Sequence, residues 1–246
     1  MIIAIPSYKR AKKCLSAKIL SNAMIFCHEF EFKEYSKYNK NVIAVIPDDL
    51  ASKGMGVIRN FMLDFARTQN DDILMIDDDI KRFGRYEDGK GIEMDENDFY
   101  AFAENAFRMT KELGTKLWGM AMLPDKRVYQ EFKPFNLGCC ILGPCMGIIP
   151  DDTLRFDESL GLKEDYDYSL QVLNKCRKVL RFNAYHYYCG HKRTKGGCRS
   201  YRNIAKEQEQ MKLFIKKWGS HIVKNPETSY GNYTINPRIT SPIKGI

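Results

Sequence analysis

The amino-acid sequence predicts an α/β protein in which a mostly parallel, Rossmann-like sheet carries helices on both of its faces. Within residues 1–80, short apolar runs rich in β-branched residues alternate with stretches of helical periodicity. Such runs are typical of parallel strands that are buried on both faces. Strands that alternate with helices indicate a parallel sheet with helices packed against it.

The first half of the chain supplies the predicted strands of this sheet. They are expected at residues 2–5, 42–46 and 73–76, and the basic segment 8–13 leads into a helical stretch that reaches about residue 28. Another helix is expected after Gly54, because apolar residues recur with helical spacing at positions 57, 58, 61, 62, 65 and 66.

The second half of the chain is predicted to contain longer helices and one aromatic strand. Asn97 is the expected N-cap of a helix with an apolar stripe. A helix is expected from near Lys163 to about residue 175, after an apolar, glycine-rich segment. An aromatic strand at 179–189, a basic loop at 190–202 and a polar helix at 203–218 follow. We expect one domain over residues 1–224 and an irregular tail over 225–246, where prolines and glycines accumulate.

The composition favours some partners over others. The formal net charge of +8 favours a polyanion such as nucleic acid, although a pocket for a nucleotide diphosphate also recruits lysine and arginine. The eight cysteines form no C-x-x-C pair, and several lie in apolar runs. No segment approaches the roughly 20 apolar residues that span a bilayer. We therefore expect a reduced, cytosolic protein with no membrane partner.

An acidic cluster follows the third predicted strand directly. Asp77, Asp78 and Asp79 lie at the carboxyl end of that strand, which is the edge of an open α/β sheet where ligands bind. Adjacent carboxylates favour a hard cation such as Mg²⁺ or Mn²⁺. If the strand geometry continued, Asp77 and Asp79 would point the same way and share a metal and a nucleotide. The alternative interpretation is a solvated turn. Because the sequence has no P-loop motif, a metal would have to neutralise a bound diphosphate.

Four segments, taken in order, resemble the GT-A glycosyltransferases. They are Ile5-Pro6-Ser7-Tyr8 with Arg10, the stretch from Gly54 to Asn60, Ile76-Asp77-Asp78-Asp79, and Phe156-Asp157-Glu158 through Lys163-Glu164-Asp165. Within that superfamily, the short basic chain is similar to the TET-associated glycosyltransferases of bacteriophages, which are understood to add sugars to hydroxymethylated pyrimidines in DNA. The resemblance implies the GT-A fold, with residues 1–80 as the nucleotide-sugar half and residues 81–224 as the acceptor half.

The same resemblance implies a donor site around the acidic cluster. The residues expected to hold the nucleotide are Pro6, Ser7, Tyr8, Arg10, Arg59, Asn60, Asp77 and, as an auxiliary, Asp78. The residues expected to bind Mn²⁺ or Mg²⁺ are Asp79, Asp77 and His191. Two alternatives stay open at this point: Tyr8 as a partly exposed loop aromatic, and Arg59 as a buried partner of an aspartate in the cluster.

Catalytic residues are implied by the second acidic motif. Glu164 and Asp165 match the glutamate–aspartate pair of inverting members, in which Asp165 would be the general base that takes the proton of the acceptor hydroxyl. Acidic residues are also favoured in the first turn of any helix, which is the alternative explanation. The basic residues that follow the aromatic strand would close over the diphosphate or follow a DNA backbone; they are Lys192, Arg193, Lys195 and Arg199.

The implied reaction is metal-dependent transfer of a sugar from a UDP-sugar to a hydroxyl group. The expected acceptor is a hydroxymethylated pyrimidine in double-stranded phage DNA, so that the enzyme would act in the cytoplasm of an infected bacterium. Three alternatives remain: a glycosyltransferase with a glycan, lipid headgroup or protein acceptor, a nucleotidyltransferase, and a catalytically silent nucleic-acid-binding domain.

Overall fold

A mixed sheet of ten strands forms the centre of the fold in the computed structural model, which describes residues 1–125, 129–189, 202–225 and 235–240. Its first part is entirely parallel and has the order β3-β2-β1-β4. These strands are β1 (Ile2–Pro6), β2 (Met24–His28), β3 (Ile43–Ile46) and β4 (Ile73–Ile76). The short apolar runs of the sequence therefore become neighbouring strands.

The rest of the sheet is mixed and continues from β4 in the order β9-β7-β10-β5-β6, with β8 paired to β10. The strands are β5 (Ile80–Glu87), β6 (Lys90–Met94), β7 (Leu117–Met122), β8 (Phe135–Asn136), β9 (Cys145–Ile148) and β10 (Leu180–Cys189). Only β5, β8 and β9 run against the other strands, so the predicted mostly parallel sheet is confirmed for the described residues.

Helices cover both faces of the sheet, as predicted. One core packs β-strand residues against α1 (Ser16–Ile19), α2 (Phe32–Tyr38) and α4 (Glu96–Glu112). The other core packs the opposite strand faces against α3 (Met55–Thr68), α5 (Glu164–Cys176) and α6 (Ile204–Trp218). Strand alternation separates the two: Ile3 and Ile5 lie in the first core and Ala4 in the second. In the described ranges, no helix is long and apolar enough to cross a membrane.

The predicted helical stretch that reaches residue 28 is wrong, because its second part is the strand β2. The side-chain amide of Asn41 donates to the carbonyl oxygens of Leu20 (2.8 Å) and Ala23 (3.0 Å), which fixes the turn between α1 and β2. A short apolar run is compatible with a buried helix segment or a buried strand by periodicity alone. The deciding contacts come from β1 and β3 on either side of β2.

Smaller differences concern the ends and edges of the elements. The N-cap of α4 is Asp95, whose side chain accepts a hydrogen bond from the Asp98 amide at 2.8 Å, and not Asn97. The strand β3 is less buried than expected, with Val45 40% exposed, because it is an edge strand. In the stretch predicted as an irregular tail, β12 (Arg238–Ile239) pairs with β11 (Val223–Lys224), so this part packs on the domain.

The close approach of β7 and β9 gives a first testable prediction. Gly147 lies opposite the buried Trp118, and a Cβ added at Gly147 would be 2.0 Å from the indole ring. Gly147→Ala should therefore lower the free energy of unfolding by roughly 1–3 kcal/mol, the usual cost of overpacking. Thermal or chemical unfolding measures this. Gly138→Ala is the control, since a Cβ there meets nothing within 4 Å, and equal melting temperatures for the two variants would contradict the prediction.

Candidate active site

The carboxyl edge of the sheet brings the predicted site residues together. The parallel strands β1, β4 and β10 end here, and the antiparallel strand β9 begins here. The Asp77 amide donates to the carbonyl oxygen of Pro144 at 3.1 Å, which ties the end of β4 to the start of β9. The loop after β1 and the acidic cluster after β4 are therefore neighbours, as ligand binding at this edge requires.

Asp78 is the buried member of the acidic cluster. Its carboxylate accepts a hydrogen bond from the Ser7 hydroxyl at 2.5 Å and forms an ion pair with the Arg10 guanidinium at 2.5 Å. The Tyr35 hydroxyl donates in turn to Ser7 Oγ at 2.7 Å. Burial raises the pKa of Asp78 to about 6, although Arg10 and Ser7 lower it. Asp78 therefore holds the loop after β1 against the end of β4.

The three aspartates do not continue the strand geometry. Residues 77–79 form a turn between β4 and β5, and each carboxylate meets different partners. Asp77 lies 3.5 Å from Arg59, while Asp78 binds Ser7 and Arg10. The expectation that Asp77 and Asp79 project in one direction, as alternate residues of a strand do, has no basis in this turn.

Asp79 meets a residue that the sequence did not single out for this role. The Cys189 thiol, at the end of β10, donates to Asp79 Oδ1 at 2.7 Å, and Arg10 lies 3.9 Å from Asp79 Oδ2. The carboxylate is thus oriented from two sides. Cys189 has a sequence signal only in hindsight, as the last residue of the strand that ends beside the acidic cluster.

Metal binding by this cluster would depend on oxygen atoms from a ligand. Among the residues that the structure describes, no three His, Cys, Asp or Glu side chains gather in a way that could hold a metal ion. Mg²⁺ is usually held by one or two carboxylates together with substrate phosphates, and Asp77 and Asp79 suit that pattern. The Asp77 side chain is 30% exposed and therefore accessible from the solvent side of the edge. His191, the third predicted ligand, lies outside the described residues.

Arg59 is the buried cation of the site. It lies in the second turn of α3, is 2% exposed, and donates from Nη2 to the Gly143 carbonyl oxygen at 3.0 Å. The same nitrogen is 3.5 Å from Asp77 Oδ1, and Nε is 3.6 Å from Glu164 Oε1. The buried pairing with the acidic cluster, which was the open alternative, is therefore present.

Asp165 and Glu164 are joined to this cation in different ways. The Gly143 amide donates to Asp165 Oδ2 at 2.9 Å, so that the backbone of one residue contacts both Arg59 and Asp165. A Cβ at Gly143 would be 2.7 Å from Arg59 Nη2, so this position has little room for a larger residue. Burial and the neighbouring Asp165 raise the pKa of Glu164 to about 8, against the opposing effect of Arg59. Asp165 itself is only half-buried.

Asn60 is placed differently from the prediction. Its amide nitrogen donates to the Phe156 carbonyl oxygen and to Glu158 Oε1, both at 2.9 Å, and its oxygen accepts from the Phe156 amide. Both amide hydrogens are used, so Asn60 holds the Phe156–Glu158 loop and has no donor left for a nucleotide. The sequence places Asn60 next to Arg59 on α3, but it does not predict the contact with the Phe156–Glu158 loop, which begins 96 positions further along the chain.

Tyr8 belongs to a small aromatic cluster on the rim of the site. Its ring is edge-on to His28 (5.5 Å between centroids) and to Phe30 (6.3 Å), and Phe30 is 56% exposed. Tyr8 is half-buried, as its alternative interpretation required. The cluster follows Pro6, the last residue of β1, and therefore borders the loop that Ser7 and Arg10 hold in place.

The start of α5 is fixed by a buried ion pair that the sequence did not reveal. Lys163 Nζ lies 2.6 Å from Glu207 Oε2 on α6, and both side chains are essentially buried. Arg202 Nε lies 3.1 Å from the other oxygen of Glu207. Because Lys163 directly precedes Glu164, this pair positions the two acidic residues at the helix start.

An α/β sheet with carboxylates and a buried arginine at its carboxyl edge has the features of a ligand-binding site. The family model for the TET-Associated Glycosyltransferase matches residues 1–198. The chain therefore belongs to the TET-associated glycosyltransferase family and is a glycosyltransferase. The sheet with helices on both of its faces confirms the predicted α/β fold class.

Comparisons with individual proteins are more distant. Among curated proteins there is no significant match. Solved structures that resemble the chain include S. aureus TarS, with 13% identity, a TM-score of 0.48, and coverage of 88% of this chain and 39% of TarS. S. aureus TarS 1-349 in complex with UDP has 13% identity and a TM-score of 0.45, with coverage of 77% and 60%. The chain thus spans less than two thirds of both TarS chains.

The raised pKa of Glu164 predicts a pH-dependent stability. Between about pH 4.5 and 8 the folded protein binds more protons at Glu164 than the unfolded chain does, so the free energy of unfolding should fall as the pH rises. Glu164→Gln removes this titration. Urea unfolding from pH 5 to 9 should show the variant gaining stability relative to the wild type by roughly 1.4 kcal/mol for each pH unit between the two pKa values, which amounts to a few kcal/mol over the window. The exposed Glu209→Gln serves as the control, and parallel pH profiles for wild type and Glu164→Gln would refute the assignment.

Proposed function

We propose that the protein transfers a sugar from a UDP-sugar to the hydroxyl group of a hydroxymethylated pyrimidine in double-stranded DNA, with Mn²⁺ or Mg²⁺ as cofactor. The observation that carries the proposal is the chain of contacts from Asp77 through Arg59 and Gly143 to Asp165. These contacts connect the acidic cluster, which could hold a metal-bound diphosphate, with the Asp165 carboxylate, which could accept a proton, at one edge of the sheet. UDP, the metal and the DNA acceptor follow from the resemblance of the motifs, and the net charge of +8 supports a polyanionic acceptor.

In the proposed reaction Asp165 is the general base. It takes the proton from the acceptor hydroxyl while the hydroxyl oxygen bonds to the anomeric carbon and the bond from that carbon to UDP breaks. The amides of Gly143 and Tyr166 each donate to one oxygen of the Asp165 carboxylate and thereby orient it. Glu164, with its raised pKa, keeps a proton to a higher pH than an ordinary glutamate, which reduces the negative charge beside Asp165.

On the donor side, we propose that Asp79 and Asp77 hold the divalent cation and that Asp77 also meets the ribose. A cation bound there would neutralise the charge of the UDP leaving group. Ser7 and Arg10 act mainly by holding Asp78 and the loop after β1, and Tyr8 offers a ring beside that loop for the nucleotide base. Asn60 positions the Phe156–Glu158 loop.

Replacing the proposed base should stop turnover and spare donor binding. Asp165→Asn keeps the size of the side chain but cannot accept the proton, so kcat should fall by at least about 100-fold. Release of UDP in the presence of hydroxymethylated DNA measures kcat, and calorimetry measures UDP affinity. Asp152→Asn, at a side chain that is 99% exposed, is the matched control. Unchanged turnover in Asp165→Asn would exclude it as the base.

Replacing the proposed metal ligand should remove the metal dependence. Asp79→Ala should weaken Mn²⁺ binding, measured by the electron paramagnetic resonance of free Mn²⁺, and should abolish Mn²⁺-stimulated hydrolysis of the UDP-sugar. The folded state should persist, since Asp78 still anchors Ser7 and Arg10. Wild-type Mn²⁺ binding by Asp79→Ala would contradict the assignment.

One experiment separates the proposal from its alternatives. Hydroxymethylated DNA is incubated with the protein, Mn²⁺ and a mixture of sugar nucleotides, and the nucleosides are then analysed by mass spectrometry. A hexose added to the pyrimidine supports the proposal. Release of pyrophosphate in a parallel reaction with nucleoside triphosphates and a sugar phosphate would indicate a nucleotidyltransferase, and DNA binding that needs no metal and survives Asp79→Ala would indicate a silent binding domain. Sugar transfer to glycans or proteins but not to DNA would show that the enzyme uses one of these acceptors in place of DNA.

A further inference from the structure

A row of aromatic rings with an arginine begins beside the acidic cluster, lies across β5 and β10, and ends at Tyr129, between β7 and β8. The Arg82 guanidinium covers the Tyr188 ring at 4.0 Å, and Tyr188 is edge-on to His186 at 5.6 Å. His186 contacts Tyr86 at 5.4 Å, and Tyr86 stacks on Tyr129 at 4.6 Å. We call these five residues the aromatic row. Its first ring belongs to Tyr188, the residue before Cys189, whose thiol binds Asp79.

The aromatic row belongs to neither hydrophobic core of the domain. On β5, Phe83 packs on Phe99 of α4, so the adjacent Arg82 points to the opposite sheet face. On β10, Tyr187 enters the same core as Phe83, which leaves His186 and Tyr188 on the face of Arg82. None of the five residues of the row is a member of either core.

The residues of the row differ in how far they reach solvent. The Arg82 side chain is 48% exposed and lies 3.6 Å from the exposed Glu93 carboxylate on β6. Tyr86, Tyr129 and Tyr188 are half-buried. His186 is fully buried between them, and Gly84 makes room for it, because a Cβ at Gly84 would be 2.5 Å from His186 Nε2. Burial lowers the pKa of His186 to about 4, so it is an uncharged aromatic spacer at neutral pH. The aromatic row therefore presents three tyrosine rings and the Arg82 guanidinium plane around the buried ring of His186.

We propose that the aromatic row binds bases of the nucleic-acid acceptor that are unstacked next to the modified nucleotide. This proposal rests on the proposed function and adds the surface that holds the acceptor. Tyrosine rings and arginine planes are the groups on which proteins stack unpaired bases, and such stacking tolerates any base sequence. The cation suits a polyanion, as does the net charge of +8. The row also adjoins the proposed catalytic edge, where an acceptor hydroxyl has to arrive.

Two arginines of β5 provide a matched test. Arg82→Ala removes the exposed guanidinium of the row. Arg85→Ala removes the same group from the same strand, but on the opposite face, where Arg85 lies 3.2 Å from Asp98 and 3.5 Å from Glu87. Binding of a fluorescent, hydroxymethylated oligonucleotide is measured by anisotropy for both variants. Arg82→Ala should weaken it roughly tenfold, the size expected for the loss of one stacked base, and Arg85→Ala should change it much less.

Further variants distinguish stacking from charge. Arg82→Lys keeps the charge without the plane and should restore only part of the affinity, and Tyr129→Ala should weaken binding at the far end of the row. Hydrolysis of the UDP-sugar without acceptor should be unchanged in Arg82→Ala, and thermal melting confirms that the variants are folded. Equal losses in Arg82→Ala and Arg85→Ala, or full recovery in Arg82→Lys, would overturn the proposal.

The failure of this proposal differs from a failure of the proposed function. If the wild type hydrolyses a UDP-sugar and transfers sugar only to glycans, with no affinity for the oligonucleotide, the role of the row is overturned and the enzyme class stands. If oligonucleotide binding depends on Arg82 and no sugar is transferred to DNA, the row is supported and the proposed reaction fails.

Discussion

A buried guanidinium, that of Arg59, is the interaction on which the arrangement of the site depends. A charge that is 2% exposed has to be balanced nearby. Asp77 supplies the anion, and the Glu164 carboxyl, whose pKa of about 8 keeps it mostly protonated at neutral pH, contacts the guanidinium from a different part of the chain. The Gly143 carbonyl adds a hydrogen bond at 3.0 Å. Since α3 positions the arginine, the end of β4 and the start of α5 both lie against it, and these two parts of the edge keep a fixed relation.

This arrangement also explains why two adjacent acidic residues take different properties. Glu164 is turned towards the buried arginine, where burial outweighs the ion pair and raises its pKa, whereas Asp165 is half-buried and receives the Gly143 amide. Neighbouring carboxyl groups in unlike environments are how proteins separate the tasks of holding and accepting a proton. The pair between Lys163 and Glu207 fixes the helix start from the other side, so neither residue can reorient freely.

Sequence reasoning was sufficient where local pattern decides the structure and insufficient where distant contacts do. The runs that became β1, β3 and β4, and the periodicity that became α3, depend on alternation and spacing within a few residues. The strand β2 has an equally apolar sequence, but its strand conformation depends on pairing with β1 and β3. The same holds in the site. Asp77 and Asp165 are candidates that their motifs predict, whereas the contact of Cys189 with Asp79 joins residues 110 positions apart.

The topology of the sheet gives the reason for the divergence of the three aspartates. After β4 the chain continues directly into β5. These two strands do not pair, because β9, β7 and β10 lie between them in the sheet. Residues 77–79 must therefore cross the carboxyl edge. Asp77 stays beside Pro144 at the start of β9, and Asp79 arrives at Cys189 at the end of β10. The acidic cluster thus spans the boundary between the parallel part of the sheet and the mixed part. A ligand that contacts both ends of the cluster therefore reaches from the start of β9 to the end of β10, which is one of the strands that carry the aromatic row.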